Sequence, residues 1–310
     1  MSGAAAVAPI LVPFDGSAVA EAALPYAAAL AGLGGPIVLL QAVSEPQPIL
    51  DILSDVVLTA DHLLRLTRDA AMTDLDRAEH LLHRLDPTLA VDRRVVVGDP
   101  ATTIVDAATA GRVGRVVMTS RGLSGTPAGQ LGSVAHRLTE ANPAPLLLVP
   151  LETSGETGLR RLVVGHDGSD HAQAALTVAA EVARRHEASI LLVGVVESGG
   201  PKGTPLDHLE MLDDRVAAGV LADARRDAQR AVEGAGALLL RQGVHVSWET
   251  PAGDPATELM AICRPGDTLV IASHGRSGAT QWGLGSVARR LLQGSLQPVL
   301  LVRADPTEEG

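Results

Sequence analysis

Aromatic residues, lysine and cysteine are nearly absent from this chain of 310 residues. Aromatic side chains make up 1% of it, so the core must be aliphatic. The chain also lacks the aromatic faces on which single-stranded nucleic acids stack. A net charge of −11 would repel a phosphate backbone, and we therefore expect no nucleic-acid partner. Lys202 is the only lysine and lies in a proline- and glycine-rich stretch, so a phosphate site must use backbone amides, hydroxyls or arginine.

The single cysteine, Cys263, excludes an internal disulfide and a zinc site built from cysteines. No apolar run reaches the roughly 18 residues that a membrane-spanning helix needs, and residues 1–13 carry no basic segment typical of a signal peptide. These absences predict a cytoplasmic protein that does not contact a membrane. The length suits two domains of about 150 residues each.

The chain contains one set of motifs twice. Gly122 and Gly132 return as Gly275 and Gly285, at a constant offset of 153 residues (122 to 275 and 132 to 285). Each pair of glycines lies between a β-branched apolar run and a helical pattern. The other repeated landmarks are Asp15-Gly16-Ser17 with Asp167-Gly168-Ser169, Gly98-Asp99-Pro100-Ala101 with Gly253-Asp254-Pro255-Ala256, and Gly132-Ser133-Val134-Ala135 with Gly285-Ser286-Val287-Ala288. We infer a tandem duplication.

Each half alternates predicted strands and helices, which predicts an α/β fold of two tandem domains at 1–151 and 161–310, with a polar linker at 152–160. Each domain should hold a five-stranded parallel sheet with helices on both faces and right-handed crossovers. With the strand order 3-2-1-4-5, strands one and four flank the point where ligands bind in such sheets. The expected strands are 10–14, 37–43, 91–97, 115–120 and 146–149, then 162–165, 190–196, 244–250, 268–273 and 299–302.

Three local patterns give further expectations. Pro25 lies inside a helical pattern and should bend it. Residues 44–54 form a polar, proline-containing stretch that predicts a loop. The long helix of the second half, over about 207–242, should be interrupted near Gly234 and Gly236.

A strand, a glycine-rich loop and a helix start together predict an anion site. The first turn of a helix has unpaired N–H donors and a partial positive charge, and glycine lets a phosphate approach the backbone. A structural interpretation stands beside this one. Asp15 and Asp167 would then accept hydrogen bonds within turns, and Ser133 and Ser286 would be ordinary N-caps.

The repeated motifs resemble the universal stress protein family over essentially all of both halves. The resemblance implies a Rossmann-like fold of the adenine-nucleotide α-hydrolase type. ATP-binding members carry Gly-x2-Gly-x9-Gly-Ser/Thr; here the first glycine is replaced by Thr119 in one copy and Ala272 in the other. The resemblance implies these nucleotide-binding residues: Asp15, Ala42, Thr119, Gly122, Gly132, Ser133 and Val134, and Asp167, Val195, Ala272, Gly275, Gly285, Ser286 and Val287.

The resemblance also implies roles for these residues. Asp15 and Asp167 would face the nucleoside, and the backbone of Ala42 and Val195 would meet the adenine edge. The serine hydroxyls and the following amides would hold the outer phosphates. Mg²⁺, if bound, would be carried on the phosphates. His166, Asp167, Asp170 and His171 lie within six residues, but this composition also suits a helix start, and we predict no protein metal site.

These features favour an ATP-binding regulatory protein of the stress response that is not an enzyme. No Ser/His/Asp order, His-Glu-x-x-His or Cys-x-x-Cys is present. One alternative is a slow ATP hydrolase, for which Arg121, Arg276 and His274 are the candidates near the γ-phosphate. The other is an interaction module that has lost its ligand, which the missing first glycine suggests.

The last strand of each half, 146–149 and 299–302, should lie at a sheet edge, and exposed apolar edges seek partners. The family resemblance implies that the two domains pair with each other through these strands. The sequence leaves open whether whole chains also form a homodimer.

Overall fold

A computed structural model gives the structure of the chain, which divides into two compact units, Met1–Leu151 and Glu152–Gly310. It describes residues 8–31, 35–45, 49–51, 56–122, 130–151, 159–197, 214–275 and 284–303.

The first half alternates strands and helices as the sequence predicts. Its strands are β1 Ile10–Pro13, β2 Ile37–Val43, β3 Ile49–Asp51, β4 Val56–Leu58, β5 Val91–Val97, β6 Arg115–Thr119 and β7 Leu146–Val149. Its helices are α1 Leu24–Ala31, α2 Ala60–Leu85, α3 Pro100–Ala110 and α4 Ser133–Ala141, with a 3₁₀ turn at Ala20–Ala23.

The second half follows the same plan. Its strands are β8 Arg161–Gly165, β9 Ser189–Val193, β10 Val196–Glu197, β11 Val246–Glu249, β12 Ala252–Gly253, β13 Asp267–Ala272 and β14 Val299–Val302. Its helices are α5 Asp170–His186, α6 Asp214–Arg241, α7 Pro255–Ile262 and α8 Ser286–Gly294.

Each half contains a sheet of five parallel strands in the predicted order 3-2-1-4-5. In the first half the neighbours are β5, β2, β1, β6 and β7. In the second half they are β11, β9, β8, β13 and β14. The fold prediction is confirmed. Strands one and four are neighbours in both sheets, so the residues that follow them meet at one edge.

Aliphatic side chains fill both cores, as the scarcity of aromatic residues requires. Every residue of β6 and β7 is buried, so both faces of the sheet are covered there. The outer strand β5 is exposed at most positions. Strands β6 and β7 are therefore enclosed on both faces, whereas the sheet edge formed by β5 faces water.

Two local predictions in the first half are corrected. Pro25 does not bend a long helix: a 3₁₀ turn precedes it, and α1 begins at Leu24. Proline fits the first turn of a helix because its missing N–H would have no intrahelical partner there. The predicted loop over 44–54 contains β3, which pairs with β4 in a small antiparallel ladder.

Two predictions in the second half are also corrected. Helix α6 continues through Gly234 and Gly236 without a break. Gly236 instead allows a close contact, because a Cβ there would lie 2.8 Å from the indole of Trp248. The predicted strand 190–196 is two strands, β9 and β10, separated at Gly194, a residue with no side chain to pack in a strand.

Candidate functional site

A carboxylate at the end of strand one organises each half. Asp15 Oδ1 accepts hydrogen bonds from the Ser17 backbone N–H at 3.0 Å and from its hydroxyl at 2.5 Å. Asp167 makes the same two bonds with Ser169, at 3.0 and 2.6 Å. The predicted turn interaction is therefore present, and it fixes both carboxylates at the strand end.

The other oxygen of each carboxylate lies against the glycine that follows strand four, Gly122 or Gly275. A Cβ placed on Gly122 would lie 2.5 Å from Asp15 Oδ2, and one on Gly275 would lie 2.7 Å from Asp167 Oδ2. A Cβ atom, which cannot form a hydrogen bond, does not come this close to another heavy atom. Any other residue at these two positions would therefore displace a carboxylate that the serine bonds hold in place.

A backbone hydrogen bond closes each glycine loop at its base. The N–H of Gly132 donates to the carbonyl of Ser120 at 2.9 Å, and that of Gly285 donates to Ser273 at 2.9 Å. The loop therefore returns to the strand end from which it left. Residues 123–129 and 276–283, which include the candidate Arg276, lie outside the described residues.

The helix after each loop starts without a side-chain cap. The N-cap residues are Gly132 and Gly285, both with extended backbone dihedrals, and neither supplies a capping hydrogen bond. Ser133 and Ser286 are the first helical residues and are exposed. The alternative in which these serines act as N-caps is therefore wrong.

This leaves the amides of the first helical turn, among them those of Val134 and Val287, without a side-chain acceptor from the cap position. A helix start of this kind carries unpaired N–H donors and a partial positive charge. With an exposed hydroxyl beside it, the arrangement is suited to an anion.

The positions of the missing first glycine differ between the halves. Thr119 ends β6, is buried, and donates its hydroxyl to the carbonyl of Arg121 at 2.6 Å. Ala272 ends β13 and has no hydroxyl to make that bond. A side chain at this position therefore ties the first loop back to its strand, and the alanine at the equivalent position of the second half cannot make that bond.

The residues implied for the adenine edge lie on strand two in the first half and just after it in the second. Ala42 is in β2, is half-buried, and aligns with Val96 of β5 in the parallel ladder. Val195 is also half-buried, but it lies in the two-residue break between β9 and β10. Both lie beyond the point where strand one ends, at the carboxyl edge of the sheet.

Histidines distinguish the second site from the first. His274 precedes Gly275 where the first half has Arg121, and its ring lies 5.9 Å from that of His171, centroid to centroid. His166 precedes Asp167 where the first half has Phe14, and burial lowers its pKa. Among the described residues, no group of three or more His, Cys, Asp or Glu side chains is placed to hold a metal ion.

Sequence reasoning missed a pair of residues that joins two helices in each half. Arg137, on α4, donates to Asp99 at 2.7 Å, and Arg290, on α8, donates to Asp254 at 2.5 Å. Asp99 and Asp254 are the N-caps of α3 and α7, and each accepts a hydrogen bond from the backbone N–H three residues on. The missed signal was the repetition of arginine at 137 and 290, which keeps the offset of the glycine loops.

The sequence profile of the universal stress protein family matches residues 7–150 and again 158–303. A universal stress protein of Mycolicibacterium smegmatis is 25% identical over 301 residues, which cover 95% of this chain and 96% of that protein. One from Methanocaldococcus jannaschii is 25% identical over 158 residues, which cover 50% of this chain and 88% of that protein.

Solved structures show the same fold. The crystal structure of a universal stress protein from Archaeoglobus fulgidus aligns with 95% of this chain and 98% of its own, with a TM-score of 0.66 at 19% identity. The matches also include a universal stress protein in complex with cAMP, which covers 47% of this chain with a TM-score of 0.36. In the described part of the chain, no helix has the length and apolar character needed to cross a membrane.

Proposed function

Because the chain belongs to the universal stress protein family, with one copy in each half, we propose that each half binds an adenine nucleotide, in the first instance ATP. The nucleotide acts as a regulatory ligand in a stress response and is not turned over. One observation carries the proposal: the same uncapped helix start, closed glycine loop and fixed carboxylate occur in both halves.

The residues of each site suit different parts of the nucleotide. The hydroxyls of Ser133 and Ser286, with the amides that follow them, would donate to the outer phosphates. The carboxylates of Asp15 and Asp167 would accept from ribose hydroxyls. The backbone beyond strand two, at Ala42 and Val195, offers N–H and C=O groups to the base. Mg²⁺, when present, would be bound by phosphate oxygens.

The chemistry of these groups favours binding over catalysis. The groups that the two described sites share are main-chain amides, a hydroxyl and one carboxylate that already serves a turn. Such a set holds an anion but offers no nucleophile paired with a base. We therefore propose that the protein is not an enzyme.

Isothermal titration of nucleotide-stripped protein with ATP tests the proposal. We expect two sites per chain, reduced to one by Gly122→Glu or by Gly275→Glu, because the added side chain would collide with the fixed carboxylate. Gly219→Glu is the matched control, since Gly219 is exposed on α6 and a Cβ there would meet nothing within 4 Å. No heat at millimolar ATP would refute the proposal and favour an interaction module without a ligand.

Slow ATP hydrolysis is the second candidate, and it is favoured by His274. This imidazole precedes the glycine loop of the second half and lies beside the ring of His171. If it acts as a base, multiple turnover should be lost in His274→Gln and kept in Gly122→Glu, which blocks only the first site. Recovery of intact ATP after long incubation would argue against hydrolysis.

The pairing of the two domains, which the family resemblance implies, a homodimer and a cytoplasmic location are further proposals. Analytical ultracentrifugation of the purified chain would test the homodimer directly.

A further inference from the structure

In the second half, Asp254 bonds to two helices at once. Its Oδ1 accepts from the backbone N–H of Thr257 at 3.0 Å and from its hydroxyl at 2.7 Å, which caps α7. Its Oδ2 accepts from Arg290 of α8 at 2.5 Å. Arg290 also reaches the Thr257 hydroxyl at 3.3 Å. Each carboxylate oxygen therefore serves a different helix, and this bonding holds the pKa of Asp254 at about 2, with Arg290 the largest cause.

The first half has the same pair in a weaker form. Asp99 Oδ1 alone accepts the Thr102 backbone N–H at 3.0 Å, the Thr102 hydroxyl at 2.8 Å and Arg137 at 2.7 Å. Three donors share one oxygen, and both ion-pair side chains are more than half exposed. The pKa of Asp99 is lowered chiefly by the Thr102 backbone N–H rather than by the arginine.

In each half the arginine lies one turn after the first residue of the helix whose start faces the proposed phosphate site. Ser286 and Arg290 are four residues apart on α8, as Ser133 and Arg137 are on α4. Residues at this spacing lie on the same helix face, one turn apart. An anchor at the arginine therefore restrains the serine and the amides of the first turn.

The aspartate follows a turn that is bonded to the end of strand two. In the first half, the N–H of Gly98, just before Asp99, donates to the carbonyl of Val43 at 2.9 Å, next to Ala42. In the second half, Gly253 aligns with Glu197 of β10, just after Val195. The ion pair thus joins the turn beside the base edge to the helix beside the phosphates.

We propose that Arg290 and Arg137 are positioning residues, which fix the first turn of the phosphate-facing helix relative to the Asp254 or Asp99 turn and so set affinity for the phosphate tail. The proposal rests on the proposed function and goes beyond it by naming a pair that contacts no ligand. The effect is larger in the second half, where the carboxylate bridges with both oxygens.

The first experiment uses the Gly122→Glu background, in which only the second site remains. Titration with ATP and with adenosine separates phosphate affinity from base affinity. We expect Arg290→Ala to weaken ATP binding about tenfold and to leave adenosine binding unchanged. We expect Asp254→Asn, which keeps an acceptor for the α7 cap, to give a similar loss, and Arg290→Lys to recover part of it. Arg230→Ala is the matched control, because it removes an exposed arginine paired with Asp227 on α6.

A second experiment does not depend on nucleotide. Hydrogen exchange in the ligand-free chain should be about tenfold faster at the amides of residues 289–292 in Arg290→Ala than in Arg230→Ala, since these are the first amides bonded within α8. Unchanged exchange would overturn the proposal whether or not ATP binds. Faster exchange in a chain that does not bind ATP would refute the proposed function and the effect on ATP affinity, and would leave only the restraint of the helix by the ion pair.

Three titration results would also overturn it. The first is ATP affinity within twofold of the parent in Arg290→Ala. The second is an equal loss in Arg230→Ala, which would indicate an effect of net charge. The third is a loss in Arg290→Ala with none in Asp254→Asn, which would mean that the arginine acts on the phosphates without the aspartate.

Discussion

The outer edge of the sheet is held by charges in the first half and by an indole in the second. Arg93, on β5, pairs with Asp76 and with Glu79 of α2. Trp248 is at the corresponding place on β11, and it packs on Gly236 of α6. Equivalent edge strands therefore contact equivalent long helices through ion pairs in one half and through aromatic packing in the other.

A second difference lies at the start of strand four. In the second half, Asp267 is buried and accepts both prongs of the Arg161 guanidinium, at 2.9 and 2.5 Å. In the first half, Gly114 fills this place, and a Cβ on it would lie 3.1 Å from that of Ala8. An ion pair in one half thus corresponds to a close backbone contact in the other.

Most of the parts that would touch the ligand are shared, although Thr119 is replaced by Ala272 and Arg121 by His274. Both halves keep the aspartate, the two loop glycines and the serine at the helix start, whereas the supports beneath them have changed. Duplicated copies can therefore hold one main-chain geometry by different side-chain interactions. The comparison makes each half a control for the other.

The largest expected effect is at the buried ion pair. Asp267→Asn leaves the Arg161 guanidinium, which is 23% exposed, without its counter-charge. We expect the free energy of unfolding of the second half to fall by about 3 kcal/mol. Urea denaturation measures it. Asp92→Asn, at the exposed pair with Arg94, is the control and should cost less than about 0.5 kcal/mol. A loss below about 1 kcal/mol for Asp267→Asn would contradict this.

The two helical glycines of α6 should respond in opposite directions. Gly234→Ala enters open space and should stabilise the second half by about 0.5–1 kcal/mol through helix propensity. Gly236→Ala collides with Trp248 and should destabilise it by about 1 kcal/mol, because overpacking outweighs propensity. Thermal unfolding of both variants gives the comparison. Equal stabilisation by both substitutions would mean that the packing of the Trp248 indole does not require glycine at position 236.

The histidine before Asp167 should make the second half more sensitive to acid than the first. Burial lowers the pKa of His166, so the folded state favours the neutral ring. As the pH falls below about 6.5, the unfolded chain takes up a proton that the folded chain resists, and stability is lost. His166→Phe, which copies Phe14, should reduce the difference in Tm between pH 7.5 and 5.5. The control His136→Asn, at an exposed residue, should leave this Tm difference unchanged. An undiminished Tm difference in His166→Phe would refute the view that His166 causes the acid sensitivity.

The smallest expected effect is at the position of the missing glycine. Thr119→Ala removes the bond to the Arg121 carbonyl and should weaken ATP binding at the first site about threefold, since such a bond contributes roughly 0.5–1 kcal/mol. Thr119→Ser keeps the hydroxyl and should bind like the parent. Titration in the Gly275→Glu background isolates this site. Tighter binding in Thr119→Ala would show that the bond hinders the loop.

Most of the architecture could be predicted because the repeat supplies two readings of each element. The βα alternation predicted parallel sheets, whereas the strand order was a hypothesis that placed the repeated motifs together and that the strand pairing confirmed. Predictions of short features were wrong where they relied on a single residue type. Pro25 and Gly236 looked like helix breakers, yet one begins a helix and the other makes room for Trp248. Propensity could not distinguish these cases, because the deciding neighbour is distant in sequence.

By itself, the sequence determined the duplication, the parallel sheets and the glycine–serine pairs that begin the last helices. These depend on periodicity and on residue types that only certain backbones accept. Only the tertiary structure decided that Asp15 and Asp167 lie on the loop glycines, and that Arg137 and Arg290 reach the caps of the preceding helices. Such contacts join side chains of separate elements, and their partners are set by the packing of helices on a sheet, which local patterns do not encode.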